Sequence, residues 1–321
     1  PGDLLITMGA GDVYQIGTAA ELEWFRDHVN GDENGASHRT DCAKLTADIT
    51  LTGEWTPISN KSAIASAYSG TFDGDKHTIS GLQISATAAN QGLFGLINGA
   101  TIQNLKVSGE VSSTKSYVGG IVGKVQSGTI KNCSFAGTVT TSASGGYAGG
   151  IVGGTINPTT ITGCSNKASI NGGVVGGILG FTKNTTIQDC YNTGDINGQK
   201  AGGIVGQNTT NSTITNAYNK GNISGTDRSG DITGFNGVTK SESNCYGKDD
   251  SISADKLGDA FTNAKDDSGN VILKWEAGGS SEPQTPGLSI SSSNGSALWT
   301  VEGGNHKTTT VLTVKTSHMG D

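Results

Sequence analysis

The acidic residues and histidines of this sequence are its first candidates for chemistry. Polysaccharide hydrolases and lyases use two or three carboxyl groups on one face, or a basic residue beside a calcium site. Asp73, Asp75 and His77 in FDGDKH form the densest local group. The other acidic pairs are Asp189 with Asp195 and Asp227 with Asp231. None of these groups recurs at a constant spacing along the chain, so we expect solvated loops and no catalytic residue.

The cysteines are the second residue type that could do chemistry. Cys133, Cys164, Cys190 and Cys245 form one series, in which Ala217 holds the position between the last two cysteines, and Cys42 lies apart. A zinc site would need paired CxxC spacing or histidine ligands, but the five histidines are scattered at positions 28, 38, 77, 306 and 318. If the four cysteines stack in neighbouring coils, their Cβ atoms lie about 4.8 Å apart, slightly beyond the ~3.5–4.5 Å of a disulfide. We therefore expect buried, reduced thiols, with no metal and no cofactor.

Tyrosines and asparagines accompany the cysteine series. Tyr191, Tyr218 and Tyr246 each follow a position of the series by one residue, and side-chain alternation should point them outward. They are the candidate ligand-binding residues, as a strip on which sugars could stack; the alternative is that they only cover a turn. Asn166, Asn192 and Asn219 follow the same series by two residues. We expect these asparagines to satisfy one another's amides and the backbone of a turn.

The elements that would position these residues are short repeats. The sequences GGIVG and GGILG occur four times, and the apolar residue after the second glycine recurs with spacings of 28, 30, 27, 26 and 28 residues from Leu93 to Ile232. Three more apolar positions recur in each unit, among them the cysteine series and a position six residues after it. Units of this length with three short strands are typical of one coil of a parallel β-solenoid. We predict an all-β, right-handed parallel β-helix of about seven coils.

The repeats resemble the GLUG-motif repeats of bacterial surface proteins. The resemblance rests on YVGGIVGKVQSGTIKNCSFAGTV, GGILGFTKNTTIQDCYNTGDI and AGGIVGQNTTNSTITNAYNKGNI, and extends over roughly residues 12 to 276. It implies a parallel β-helix on an exported bacterial protein, at the cell surface or outside the cell. The motif is structural, so it brings no catalytic residues with it.

The two ends of the solenoid need caps, because an open end exposes core and strand edges. TAAELEWFRDHVN (18–30) predicts a capping helix, with Thr18 and Glu21 as a capping box. We divide the chain into an N-terminal strand, capping helix and first coil (1–52), the solenoid (53–250), a C-terminal cap (251–276), a linker (277–286) and a β-hairpin tail (287–321). The tail hairpin would join ALWTVE to TTTVLTVKT. The lone strand Leu4 to Met8 and this tail predict either packing on the chain's own solenoid or head-to-tail strand addition between copies.

Composition narrows the function. The net charge is −7, which argues against nucleic-acid binding, and no apolar run could span a membrane. We expect a non-enzymatic extracellular or cell-surface protein, structural or adhesive, with itself or host or environmental glycans as partners. The alternatives are a carbohydrate-binding module, which exposed stacked aromatic residues would favour, and a polysaccharide-active β-helix enzyme, which a carboxylate cluster would favour.

Overall fold

The computed structural model describes residues 7–8, 13–31, 38–237, 242–277, 287–293 and 296–302 of the 321-residue chain. Parallel strands stack into a β-solenoid of about 8 turns, so the predicted fold class is confirmed. The strands of the solenoid sheet are β1 (Thr7–Met8), β2 (Val13–Ile16), β3 (Cys42–Leu45), β4 (Ile49–Thr50), β5 (Thr71–Asp73), β6 (Thr78–Ala86), β7 (Phe94–Ser113), β8 (Val118–Gly119), β9 (Val122–Thr141), β10 (Tyr147–Gly149), β11 (Val152–Thr155), β12 (Thr159–Thr162), β13 (Ser165–Asn166), β14 (Ser169–Gly176), β15 (Leu179–Thr182), β16 (Thr185–Asn192), β17 (Ile196–Gly202), β18 (Val205–Asn208), β19 (Thr213–Asn219), β20 (Ile223–Gly230), β21 (Thr233–Asn236) and β22 (Glu242–Tyr246).

The remaining elements lie before, within and after the solenoid. They are the helices α1 (Ala19–Asn30) and α2 (Ala254–Leu257), a short 3-10 helix (Ile64–Ser66), and the strands β23 (Phe261–Lys265), β24 (Val271–Leu273), β25 (Gly287–Ser293) and β26 (Ser296–Glu302). The sheet β23–β24 and the sheet β25–β26 each contain two antiparallel strands.

The register of the coils follows the sequence repeat. Ile161 pairs with Ile130 on one side and with Ile187 on the other, and Ile187 pairs with Ile214. Val139, Ile170, Ile196 and Ile223 form a second aligned series. The apolar residues that follow the second glycine of each unit, from Leu93 to Ile232, are all buried. The aligned Ile, Val, Leu and Cys side chains therefore fill a narrow core, as the spacing predicts.

The second glycine of GGIVG has a particular reason to lack a side chain. A Cβ atom on Gly177 would lie 2.5 Å from Asn192 Cγ, and one on Gly203 would lie 2.5 Å from Asn219 Cβ. Neither glycine has a positive φ. A backbone carbonyl oxygen of the next coil would lie closer still, so these glycines are needed because backbone and side chain both approach closely, and not because the chain adopts a left-handed conformation there.

The predicted N-terminal capping helix is present. Glu21 N–H donates to Thr18 Oγ1 at 3.2 Å, and Thr18 N–H donates to Glu21 Oε2 at 2.9 Å, which completes the capping box. Leu22, Phe25 and Val29 of α1 are buried against the solenoid core. The apolar face of the helix thus covers the core at this end of the solenoid.

The N-terminal strand packs on its own chain. Thr7–Met8 pairs antiparallel with Tyr14 and Gln15 of β2, while the other edge of β2 pairs with β3. This favours the packing of the N-terminal strand on the chain's own solenoid over strand addition between copies. Assembly into a fibre stays a prediction, as do the domain boundaries given above.

The C-terminal segment (residues 254–276) differs from the predicted end cap in its position. It lies along the side of the solenoid and reaches back several coils, where Trp275 Nε1–H donates to Gly163 O at 2.8 Å. ALWTVE pairs with the preceding strand Gly287–Ser293, and the predicted hairpin with TTTVLTVKT stays a prediction. The expected partner TTTVLTVKT lies outside the described residues.

Candidate functional site: an aromatic strip on the solenoid surface

Two of the three predicted tyrosines are not exposed. Tyr191 is 0% and Tyr218 1% exposed, and their rings stack in parallel with centroids 5.0 Å apart. Both side chains point away from the solenoid core, as the alternation predicts, but they pack in a second cluster with Leu257, Phe261 and Leu273 of the C-terminal segment. The prediction that they are available to stack on sugars is therefore wrong, because a covering segment cannot be read from strand alternation. Tyr246 is partly exposed.

Glu276 fastens the C-terminal segment to these rings. Its Oε2 accepts from Tyr191 Oη at 2.8 Å and its Oε1 accepts from Ser165 Oγ at 2.7 Å. Tyr218 Oη donates to Val271 O. Burial raises the pKa of Tyr191 and of Tyr218 well above the usual value, and the negative charge of Glu276 raises both further. The tyrosines are therefore neutral structural donors rather than ligand-binding groups.

The asparagine ladder (Asn166, Asn192 and Asn219) has the structural role that the sequence predicts. Asn192 Nδ2 donates to Gly194 O at 2.8 Å and to Asn219 Oδ1 at 2.7 Å. Its Oδ1 accepts from Gly194 N–H at 3.2 Å and from Asn166 Nδ2 at 2.6 Å. All three asparagines are 0% exposed. Each amide thus satisfies its own turn and links it to the next coil.

The cysteines are free thiols in the described structure. Cys133, Cys164 and Cys190 are buried, whereas Cys245 and Cys42 are partly exposed. Burial raises the pKa of the Cys164 and Cys190 thiols well above the usual value. The expectation that all four thiols of the series are buried is wrong for Cys245, because its strand β22 belongs to the last coil and no further coil covers it in the described residues.

The acidic candidates Asp73, Asp75, Asp189 and Asp195 each have a structural partner. Asp73 accepts from Gln103 Nε2 at 2.8 Å and from Asn104 Nδ2 at 3.0 Å. Asp75 lies 3.0 Å from Lys44 Nζ, and His77 lies 3.2 Å from Asp48. Asp189 accepts from Asn216 Nδ2 at 2.9 Å, and Asp195 accepts from Asn222 Nδ2 at 2.9 Å. These carboxylates therefore link coils and corners to one another.

A different set of aromatic residues lies on the solenoid surface. This aromatic strip consists of Tyr117, Tyr147, Phe181 and Phe235, all of them partly exposed. The centroids of the Tyr117 and Tyr147 rings are 5.3 Å apart, and those of the Tyr147 and Phe181 rings are 4.6 Å apart. The rings come from coils that are stacked directly on one another, so they form a continuous surface at the centre of the strip.

Two aligned rows of residues position the strip. One row runs from Tyr147 through Val174 and Lys200 to Arg228, and Tyr117 precedes it by one coil. The second row, beside GGIVG, consists of Lys124, Gly154, Phe181, Gln207 and Phe235. Coils stack ~4.8 Å apart, so five coils give the strip a length of roughly 19 Å.

Tyr117 occupies its place through two unusual features. Its backbone is left-handed, with φ 66°, a conformation that costs a tyrosine of order 1 kcal/mol or more and that clusters at functional sites. A Cβ atom on Gly154 would lie 2.7 Å from the Tyr117 ring. The missing side chain at Gly154 therefore leaves room for the ring. Burial raises the pKa of Tyr117, and the neighbouring Tyr147 raises it further, so the hydroxyl stays protonated at neutral pH.

Cationic side chains flank the rings at both ends. Lys124 Nζ lies 5.0 Å from the centre of the Tyr117 ring. Lys200 Nζ and the Arg228 guanidinium carbon lie 4.8 Å and 4.6 Å from the centre of the Phe235 ring. Cation–π contacts hold these charges over the aromatic surface. The protein carries a net charge of −7 overall, so the strip concentrates positive charge on an otherwise acidic chain.

Sequence reasoning missed this strip because it followed only one residue position. Tyr117 and Tyr147 precede GGIVG, whereas Phe181 and Phe235 follow it, and each row is aromatic in some coils only. A signal was nevertheless present. Aligning the residues on either side of GGIVG in all units would have shown aromatic or cationic residues in most of them.

Two of the scattered histidines are in contact. His28 and His38 stack with ring centroids 3.5 Å apart, and Asp41 lies beside both. The two histidines are thus in contact although they are scattered in the sequence.

The fold is that of a repeat protein, a parallel β-solenoid. Residues 115–140 and 198–224 match the model of the GLUG motif. The chain is 32% identical over 144 residues to halomucin of Haloquadratum walsbyi, an alignment that covers 40% of this chain and 1% of halomucin. The comparison with solved structures found no significant match.

These similarities cover part of the chain. The two motif matches fit a β-solenoid built from GLUG repeats. The chain spans only 1% of the length of halomucin, so the similarity concerns a small part of that protein. Within the part of the chain that the structure describes, no helix is long and apolar enough to cross a membrane.

Proposed function

We propose that the protein is a non-catalytic adhesive module that binds acidic glycans outside the cell through the aromatic strip. The observation that carries the proposal is the continuous surface of Tyr117, Tyr147 and Phe181, with cations beside it. Sugar rings have apolar faces that pack on aromatic rings, and carboxylate or sulfate groups pair with lysine and arginine. A solenoid places such contacts at a regular spacing, which suits a linear polymer.

The centre and the ends of the strip carry different groups, and this difference indicates the class of glycan. Tyr147 and Phe181 form the central ring pair, and both are partly exposed. Tyr117 and Phe235 carry cations over their rings, so those ends contribute positive charge as well as apolar surface. This arrangement favours acidic over neutral polysaccharides. Several weak contacts along one chain would add up to useful avidity.

The absence of a described catalytic cluster supports a binding role over the enzyme alternative. Asp73, Asp189 and Asp195 each accept hydrogen bonds from amides that hold the coils together. Among the described residues, the aromatic strip contains no acidic side chain that could act as a general acid. We therefore expect the protein to bind the polysaccharide and leave its chain length unchanged.

The test compares polysaccharide binding by three forms of the whole chain. The double variant Tyr147→Ala with Phe181→Ala removes the central ring pair, and Tyr246→Ala removes a partly exposed tyrosine outside the strip. We expect only the double variant to bind an acidic polysaccharide at least tenfold more weakly than wild type, which is a loss of about 1.4 kcal/mol in binding free energy. The polymer should keep its length in size-exclusion chromatography. Equal binding by the double variant and wild type would refute the proposal, and shortened polymer would support the enzyme alternative.

A further inference from the structure

We propose that His28, His38 and Asp41 form a site for a divalent transition-metal ion, of which zinc is the representative. The possible ligand atoms of the three side chains all lie within 4.8 Å of one another. Two imidazoles and one carboxylate are a donor set that zinc takes in proteins, with a fourth position left for water. The site is separate from the aromatic strip and does not depend on its function.

The two distances to Asp41 lie close to those of a coordination sphere. His28 Nε2 lies 3.0 Å and His38 Nδ1 3.2 Å from Asp41 Oδ2. Zinc–ligand bonds of about 2.0–2.2 Å in tetrahedral geometry place neighbouring donor atoms roughly 3.2–3.6 Å apart. One carboxylate oxygen already faces both imidazole nitrogens, and a metal would enter among the three atoms as the two stacked rings turn toward it.

The backbone fixes the three ligands before a metal arrives. His28 lies in the last turn of α1, which ends at the left-handed Gly31, and its ring stacks on Trp24 with a centroid distance of 4.5 Å. Asp41 O accepts from Tyr68 Oη at 2.8 Å, and Asp41 N–H donates to His38 O at 3.2 Å. Both ligand-bearing segments are thus attached to the solenoid.

Partial burial also favours binding. The side chains of His28, Asp41 and His38 are 11%, 26% and 35% exposed, so the site is open to an ion but largely shielded from water. Tyr14 Oη lies 3.4 Å from His28 Nε2 and supplies a neighbouring polar group. A bound metal would join the end of the capping helix to residues 38–41 and stabilise the N-terminal cap.

The experiment uses zinc chloride and the whole chain, stripped of metal with a chelator that is then removed. Isothermal titration and thermal unfolding are measured for wild type, His38→Ala, Asp41→Asn and the control His77→Ala. His77 also lies beside an aspartate, at 3.2 Å from Asp48, but it has no third ligand in the described structure. Cys42→Ser serves as a second control, because the Cys42 thiol lies next to Asp41 in the sequence.

We expect one zinc ion per chain, a rise in the melting temperature with zinc, and at least about tenfold weaker binding in His38→Ala and Asp41→Asn. His77→Ala and Cys42→Ser should bind like wild type. His38 lies at the surface, so His38→Ala is expected to fold, which circular dichroism checks. Absence of zinc binding by wild type, equal affinity of wild type and His38→Ala, or a loss confined to Cys42→Ser would overturn the proposal.

Discussion

Replacing Asn192 by alanine tests the internal order of the solenoid. The side chain of Asn192 is fully buried and makes four hydrogen bonds, two to the backbone of Gly194 and one each to Asn166 and Asn219. Alanine leaves the N–H and C=O groups of Gly194 without these partners. A buried polar group left unsatisfied costs about 1–3 kcal/mol. Two such groups give an expected loss of about 2–6 kcal/mol in the free energy of unfolding.

Two further variants sharpen this prediction. Asn197→Ala alters an exposed asparagine of the same coil and should change stability by no more than about 0.5 kcal/mol. Asn192→Asp keeps the acceptor for Gly194 N–H but removes the donor to Asn219 and introduces a buried charge. We expect it to be at least as destabilising as Asn192→Ala at neutral pH.

The assay is equilibrium unfolding in urea followed by circular dichroism. Because repeat proteins can lose cooperativity, the free energies are compared only where the denaturant slope is unchanged. A loss below about 1 kcal/mol for Asn192→Ala would refute the reasoning, since it would mean that the ladder does not satisfy the turns. Equal losses for Asn192→Ala and Asn197→Ala would refute it in the same way.

Two other predictions follow from buried groups. Tyr191 and Tyr218 keep their protons in the folded protein, because their pKa values are raised, whereas in the unfolded chain they ionise near pH ~10. The stability that these two tyrosines contribute should therefore be fully present below pH ~10, and the free energy of unfolding should fall above that pH by about 1.4 kcal/mol per pH unit for each tyrosine. The urea midpoint should fall less steeply with rising pH in Tyr191→Phe than in wild type. The same fall with pH in both proteins would contradict this. Iodoacetamide should label Cys245 in the folded protein but Cys190 only after unfolding. If mass spectrometry finds that Cys190 is labelled in the folded protein, the thiol is not buried as described.

The repeat made most of the solenoid predictable. The spacing from Ile121 to Ile204 and the constant offset after the cysteine series fix which residues share a row. Stacked coils then require those residues to be aligned, as Ile161 and Ile187 are. The capping helix was equally predictable, because Thr18 and Glu21 form a local signal that does not depend on distant contacts.

Contacts between distant segments could not be read from the repeat. Tyr191 alternates outward as expected, but Glu276, 85 residues later, covers it. The aromatic strip depends on two rows whose side chains meet across GGIVG, and no single row shows the pattern. Similarly, His28 of α1 and His38 form a contact that their positions in the sequence do not indicate. Each of these features is a product of tertiary packing rather than of local periodicity.

The most direct test of the proposed function is to locate the bound glycan on the protein. Aromatic side-chain resonances of Tyr117, Tyr147, Phe181 and Tyr246 would be assigned by nuclear magnetic resonance, with single substitutions to identify each ring. An acidic oligosaccharide would then be titrated into the whole chain, with its neutral counterpart as control. We expect saturable shifts at Tyr147 and Phe181 with the acidic sugar, weaker binding at high salt, and no shift at Tyr246. Saturable binding that leaves the strip resonances unchanged, or that is centred on Tyr246, would contradict the account.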